Sequence, residues 1–119
     1  MPHLTLEYTD NITQEIDFQA LFAQLHQILA DVGGIAIANC KSRAICLNEY
    51  RIADGRTEHA FAHLMIRFLE GRAAHLKREI GVQSVEALRA AFAPSFGPFE
   101  MQVSAEIQDI ERQMYHKYP

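Results

Sequence analysis

Apolar and polar side chains follow regular patterns along the first half of the chain. Residues 3–8 alternate between the two classes, which predicts a β-strand. Apolar residues then recur every three or four positions over 18–32, between a candidate N-cap at Asp17 and the Gly33-Gly34 pair, and this spacing predicts an amphipathic helix. The β-branched and apolar stretch over 35–52 predicts one long or bent strand that ends at a turn.

The second half repeats this plan. Residues 59–68 predict a strand, and an apolar stripe over 73–91 predicts a helix that stops before Pro94 and carries Gly81 in its middle. Clean alternation over 99–107 predicts a final, half-buried strand. The pattern assigns no structure to the tail from Asp109 onward.

The order strand, helix, strand therefore occurs twice at nearly equal length. Two right-handed crossover units sharing one sheet give an α+β fold, a four-stranded ferredoxin-like sheet with both helices on one face. A chain of 119 residues fits a single domain spanning 1–119. The other face of the sheet has no helix to cover it, so we expect a second subunit to do so in an oligomer.

Composition narrows the classes of partner. The net charge is -4 and the pI is about 5.8, which argues against nucleic acid as a partner because phosphate binding requires clustered cations. No apolar run reaches the ~20 residues that span a bilayer, and no signal sequence is evident, so we expect no membrane association. Cys40 and Cys46 are poorly placed for a mutual disulfide, which favours a reducing, cytoplasmic location.

Pro2 is the first candidate catalytic residue. Removal of the initiator Met1 would expose a secondary amine at the head of the first strand. Such an amine accepts a proton only when it is neutral, so its pKa must lie below the usual α-amine range of ~7.7–8.0. An apolar pocket lined with cations would lower that pKa and would also bind an anionic substrate. The alternative is that proline is simply a common residue at this position.

Three cations are candidates for substrate binding. Lys41 and Arg43 lie two residues apart on a strand, so their side chains leave the same face, near Pro2 if the first two strands are parallel. Arg72 follows the third strand, which in this topology runs back towards Pro2, and it precedes a helix N-terminus suited to a carboxylate. Each cation, taken alone, is also explained as a solvated surface charge.

Metal and cofactor chemistry find no support in the sequence. His59 and His63 would lie on one face of a strand but about 13 Å apart, too far to share an ion. The chain contains no glycine-rich phosphate loop, nucleophile elbow or paired-cysteine motif. We therefore expect no metal and no cofactor.

The chain resembles the 5-carboxymethyl-2-hydroxymuconate isomerase family of the tautomerase superfamily. The resemblance is carried by Pro2-His3 with the following Leu4-Thr5-Leu6-Glu7-Tyr8-Thr9-Asp10-Asn11-Ile12, and by Lys41-Ser42-Arg43, Ala53-Asp54-Gly55, His63 and Gly71-Arg72 in the family's order. It implies two tandem β-α-β units, and a homotrimer with sites at subunit boundaries.

The resemblance also implies an activity, a cofactor-free 1,3-allylic keto-enol isomerisation in homoprotocatechuate breakdown. Pro2 would take a proton from an anionic dienol and return it to a distant carbon, while Lys41, Arg43 and Arg72 would bind the three carboxylates of this small-molecule substrate. One departure is Lys41, where the family has arginine, because lysine lacks the planar fork.

Two alternatives remain open on the sequence. A tautomerase acting on a smaller enol acid would fit the lysine at position 41. A non-enzymatic, oligomeric small-molecule-sensing module would fit if Met1 were retained, since Pro2 would then have an amide nitrogen and fold alone does not specify function.

Overall fold

A computed structural model describes all residues from Met1 to Pro119. The strands are β1 (His3–Thr9), β2 (Lys41–Leu47), β3 (His59–Leu69) and β4 (Glu100–Ile110), and the helices are α1 (Phe18–Gly33) and α2 (Ala74–Ala91). Three short 3-10 turns lie at Ile37–Asn39, Ala93–Phe96 and Arg112–Met114. None of the helices has the combination of length and apolar character needed to cross a membrane.

The four strands form one mixed sheet in the order β2-β1-β3-β4. β1 pairs in parallel with β2, β3 pairs in parallel with β4, and the central pair β1 and β3 is antiparallel. Each parallel pair is joined by one helix, and the two helices contact each other. The predicted α+β fold of two tandem β-α-β units is confirmed.

The core lies between the helices and one face of the sheet. Alternate residues of the central strands point into it and are at most 1% exposed, namely Leu4, Leu6, Ala60, Ala62, Leu64, Ile66 and Phe68. The intervening residues His3, Thr5 and Glu7 are only partly buried, and Ile45 is 44% exposed. One face of the sheet is therefore open in the single chain, as the helix count predicts.

Local interactions define both ends of α1. Asp17 is its N-cap, with Oδ1 accepting from the Ala20 amide at 3.0 Å, as predicted. The C-cap is Gly34, which has φ +65° and whose N–H donates to the Ala30 carbonyl. This left-handed conformation is readily adopted only by glycine, so it explains why the chain turns here.

The prediction of a single strand over 35–52 is wrong. β2 occupies only Lys41–Leu47, the 3-10 turn Ile37–Asn39 precedes it, and a loop follows it. Ile35 is buried as an anchor of the turn after α1, so its apolar character reflects packing by a loop. Apolar residues without alternation cannot distinguish such an anchor from a strand.

Candidate active site

Pro2 lies directly before β1 and is buried. Its carbonyl oxygen accepts from the Lys41 N–H at 3.2 Å, which continues the parallel ladder in which His3 pairs with Lys41. His3 pairs with Arg67 of the antiparallel β3 on its other side. The starts of β1 and β2 and the end of β3 therefore meet at Pro2, which is the arrangement that the topology predicts.

A cavity of about 290 Å³ opens beside Pro2. Its wall includes the apolar side chains of Met1, Ile35 and Phe68. The guanidinium-bearing residues Arg72 and Arg112 also line it, and no carboxylate-bearing residue does. The cavity thus combines an apolar wall with positive charge, which is a favourable environment for an anionic organic molecule.

Arg72 is held in this cavity by two contacts. Its Nε donates to the Gly33 carbonyl at 3.0 Å, and its guanidinium carbon lies 5.1 Å from the centroid of the Phe68 ring, a cation–π distance. Arg72 reaches this position because it follows the end of β3. Its partial burial and fixed contacts orient the guanidinium before any ligand binds.

The terminal amine lies in surroundings that favour its neutral form. Burial lowers the pKa of the Met1 amine below its ordinary value of 8.0, and the charges of Lys41, Lys117 and Arg72 lower it further, with Cys40 acting in the opposite direction. In this chain the amine belongs to Met1, and the Pro2 nitrogen is part of a peptide bond. Among the charges that act on the amine, Arg72 also lines the Pro2 cavity.

The structure separates Arg43 from that cavity. Its Nη2 donates to His3 Nδ1 at 2.7 Å and its Nε to Thr5 Oγ1 at 3.3 Å, on the open face of the sheet. There it borders a second cavity of about 780 Å³, together with Arg67 and Tyr115.

Lys41 lines neither cavity. Its exposed side chain donates from Nζ to the Asn39 carbonyl at 3.3 Å, and it is the cation that most lowers the pKa of the terminal amine. Of the four residues singled out from the sequence, Pro2 and Arg72 therefore share one cavity. Lys41 acts on the amine there by its charge, and Arg43 faces the neighbouring cavity.

Sequence reasoning missed Arg112 and Tyr115, both in the unassigned tail. Arg112 follows β4, and because Leu69 pairs with Ile110 in parallel, the residues after β4 emerge beside those after β3. That parallel pairing is the signal that could have revealed Arg112. The contact between Tyr115 and His3 at 2.8 Å has no counterpart in any spacing pattern.

The histidines of β3 make separate cross-strand contacts. His59 lies 2.9 Å from a carboxylate oxygen of Asp54 and 3.2 Å from one of Glu100. His63 lies 2.7 Å from Ser104 Oγ and 2.8 Å from Glu106 Oε1. The two histidine rings therefore have different partners, His59 at the start of β3 and His63 in its middle.

Comparison with known proteins identifies the family of the chain. The family described as 5-carboxymethyl-2-hydroxymuconate isomerase matches residues 2–118. A 5-carboxymethyl-2-hydroxymuconate Delta-isomerase of Escherichia coli is 29% identical over 110 residues, which cover 92% of this chain and 87% of that protein. A crystal structure of a 5-carboxymethyl-2-hydroxymuconate isomerase from Deinococcus radiodurans R1 is 34% identical, covers 98% of this chain and 88% of the other, and has a TM-score of 0.88.

The fold extends to more distant proteins. A fused wild-type 4-OT, described as a symmetric trimer, is 20% identical, covers 93% of this chain and 87% of the other, and has a TM-score of 0.67. Such a likeness concerns the fold alone. By its match over nearly the whole chain, the protein belongs to the 5-carboxymethyl-2-hydroxymuconate isomerase family and is an enzyme, an isomerase with the tautomerase fold.

Proposed function

We propose that this isomerase catalyses a cofactor-free keto-enol proton transfer on a carboxylate-bearing dienol, 5-carboxymethyl-2-hydroxymuconate, with Pro2 as the general base. The observation that carries the proposal is the burial of Pro2 at a cavity that also holds Arg72. The relatives named above are isomerases of this compound, which supports the choice of substrate.

Removal of Met1 is the first requirement of the mechanism. It leaves a secondary amine at Pro2, in the surroundings that lower the pKa of the Met1 amine. Burial disfavours an ammonium ion, and the neighbouring cations disfavour it further, so the neutral, proton-accepting form is favoured relative to an ordinary α-amine. The same cations attract the anionic substrate, so the groups that lower the pKa of the base also bind the molecule on which it acts.

The proton transfer itself needs no other reactant. The Pro2 nitrogen takes the proton of the dienol hydroxyl, whose O–H bond breaks as the C=O bond forms. The electron pairs of the diene shift along the conjugated carbons of the substrate, and the same proton returns to a distant carbon, where a new C–H bond forms. One base that is first protonated and then deprotonated completes the cycle.

The three cations predicted from the sequence would bind carboxylates. Arg72 presents an oriented guanidinium inside the cavity, where it can bind a carboxylate through two parallel hydrogen bonds and stabilise the developing negative charge. Lys41 is exposed near the amine and supplies a mobile positive charge. Arg43 would bind a carboxylate that extends towards the second cavity.

We also propose that the enzyme works as a homotrimer. The open face of the sheet, with Ile45 44% exposed, supports a covering subunit, since monomers seldom leave such a face bare. The fused 4-OT of the same fold is a symmetric trimer. Sedimentation equilibrium tests the assembly, and a monomer at micromolar concentration would contradict it.

The catalytic proposal is tested by intact mass of the protein from its native host, followed on the same sample by ultraviolet-monitored ketonisation of 5-carboxymethyl-2-hydroxymuconate. Loss of one methionine with rapid ketonisation is the expected result. Faster turnover of a simple enol pyruvate would favour the tautomerase for a smaller enol acid, for which the position of Arg43 outside the Pro2 cavity is the motivating observation. A quantitatively retained methionine without turnover would contradict the enzyme mechanism and favour a sensing module.

A further inference from the structure

We propose that Arg112 is an additional carboxylate-binding residue of the Pro2 cavity, so that the site recognises substrates carrying several carboxylates. This inference rests on the proposed function in assuming an anionic substrate. Arg112 begins the 3-10 turn after β4 and lines the cavity together with Arg72 and Pro2.

The segment after β4 is fixed to the end of β3. The Glu70 N–H donates to the Ile110 carbonyl at 3.0 Å, which continues the ladder past both strands. The Arg112 N–H then donates to Glu70 Oε2 at 2.8 Å, and Arg112 Nη2 donates to the Glu70 carbonyl at 3.1 Å. Three hydrogen bonds therefore hold the backbone and the guanidinium of Arg112 at this edge.

Gly71 lies beside the Arg112 guanidinium and is required there by the backbone conformation. A Cβ built at Gly71 would be 3.8 Å from Arg112 Nη2, the nearest side-chain atom, and the residue has φ +118°. An L side chain is strained in that conformation, whereas the distance to Arg112 is an ordinary van der Waals contact, so glycine satisfies the backbone alone. Arg72 follows this glycine in the sequence, and the Arg112 guanidinium lies beside it in the folded chain.

The charges of Arg72 and Arg112 are not neutralised by the protein. Neither guanidinium forms an ion pair with a carboxylate, whereas Arg56 pairs with Asp54 and Glu100, and Arg89 pairs with Glu86. The carboxylate of Glu70 is engaged by the Arg112 backbone N–H and not by its guanidinium. Most of the donors of Arg112 therefore remain available, and a second carboxylate of a ligand is their natural partner.

The experiment compares Arg112→Gln, Arg112→Lys and a matched control, Arg89→Gln, whose exposed arginine lies in the last turn of α2. Calorimetry measures the Kd of each protein for propane-1,2,3-tricarboxylate and for propionate, a monocarboxylate probe. We expect Arg112→Gln to raise the Kd for the tricarboxylate about tenfold, as loss of one hydrogen bond to a charged group does. The Kd for propionate should rise much less. Arg112→Lys keeps the charge and should recover part of the affinity, and Arg89→Gln should bind as the parent protein does.

Two outcomes would overturn the inference. One is an unchanged Kd for the tricarboxylate in Arg112→Gln. The other is an equal weakening of both probes, since a purely structural role of Arg112 would not distinguish the number of carboxylates. Failure of the parent protein to turn over the dienol would count against the proposed function, whereas these binding measurements would still decide the role of Arg112.

Discussion

Arg43 donates from Nη2 to Nδ1 of His3 at 2.7 Å, and the opposite ring nitrogen of His3 lies 2.8 Å from the Tyr115 hydroxyl. A guanidinium can only donate, so Nδ1 accepts and the proton of the neutral ring lies on Nε2. Burial lowers the pKa of His3, and the neighbouring charges of Arg43 and Lys41 lower it further. The strand that follows the proposed base is thus connected to Arg43, a proposed substrate-binding residue, and to the C-terminal tail through one neutral histidine.

This arrangement makes stability depend on pH. The pKa of His3 in the folded protein lies below its ordinary value of 6.5, as does that of His26, which burial lowers. Between the folded and unfolded pKa values the unfolded chain binds more protons, so the free energy of unfolding falls as pH decreases below about 6.5. Urea unfolding from pH 7.5 to 5 measures the slope. His3→Gln retains an acceptor for Arg43 and should reduce the slope, and an unchanged slope in that variant would contradict the assignment to His3.

Pro2→Ala tests the identity of the base. Alanine also permits removal of Met1, but it supplies a primary amine in place of the ring nitrogen. We expect kcat to fall by up to about 10²-fold, within the usual contribution of a positioned general base, because the primary amine is a different base and lacks the ring that fixes the nitrogen. The Tm should change little, since the carbonyl that accepts from Lys41 is retained. Turnover at the parent rate, with the methionine absent by mass spectrometry, would exclude the proline mechanism.

Arg72→Ala removes an oriented donor from the cavity. A loss of about 10²-fold in kcat/KM is expected, comparable to loss of one donor that stabilises a developing anion. Because Arg72 is one of the charges that lower the pKa of the terminal amine, the acid limb of the pH–rate profile should move to higher pH. Arg72→Lys keeps the charge and should restore the limb, but it loses the planar contact over Phe68 and the forked hydrogen bonds. An acid limb that stays in place in the alanine variant would show that this charge does not reach the base.

Lys41→Arg and Lys41→Met separate charge from geometry at the start of β2. Lys41 most strongly lowers the pKa of the terminal amine among the cations, so Lys41→Met should move the acid limb to higher pH and raise KM for the tricarboxylate dienol. Lys41→Arg keeps the charge and adds a planar fork, so its KM should fall below that of the parent. Steady-state kinetics from pH 5 to 9 measure both. A KM that rises in Lys41→Arg would indicate that the site requires the shorter, mobile lysine.

Asp17→Ala tests the helix that joins β1 to β2. Loss of the N-cap bond to the Ala20 amide should lower the free energy of unfolding by about 1 kcal/mol, whereas Asp17→Asn keeps an acceptor and should cost less. Urea denaturation of both variants gives the comparison. Equal stability of the alanine and asparagine variants would mean that the cap bond does not stabilise α1.

Strong periodicity made much of the fold predictable. The alternation in β1 and β4 and the helical stripe of α1 each bury one side against the same core, so period alone assigns them. The residues around Ile35 could not be assigned this way, because burial of a turn produces an apolar run without a period. The end of β4 and the tail could not be assigned for a similar reason. Contacts with other parts of the chain, not a local pattern, determine the positions of Arg112 and Tyr115.

The site was predictable to the extent that topology determines it. Parallel pairing of β1 with β2 and antiparallel pairing with β3 bring Pro2, Lys41 and Arg72 to one end of the sheet. The sequence could not show that Arg43 turns towards His3, because the choice of hydrogen-bond partner depends on side-chain geometry.

The sheet order leaves β4 as an eleven-residue edge strand, a length that ordinarily invites another strand to add to it. Its carboxylates contact polar partners on neighbouring segments: Glu100 pairs with Arg56, Asp109 pairs with Lys77 of α2, and Glu106 Oε1 lies 2.8 Å from Nε2 of His63 on β3. A foreign strand laid along this edge would have to desolvate those partly exposed pairs. These charged contacts therefore oppose the addition of a further strand at this edge, so the residues that hold β4 to its neighbours also act against edge-to-edge association.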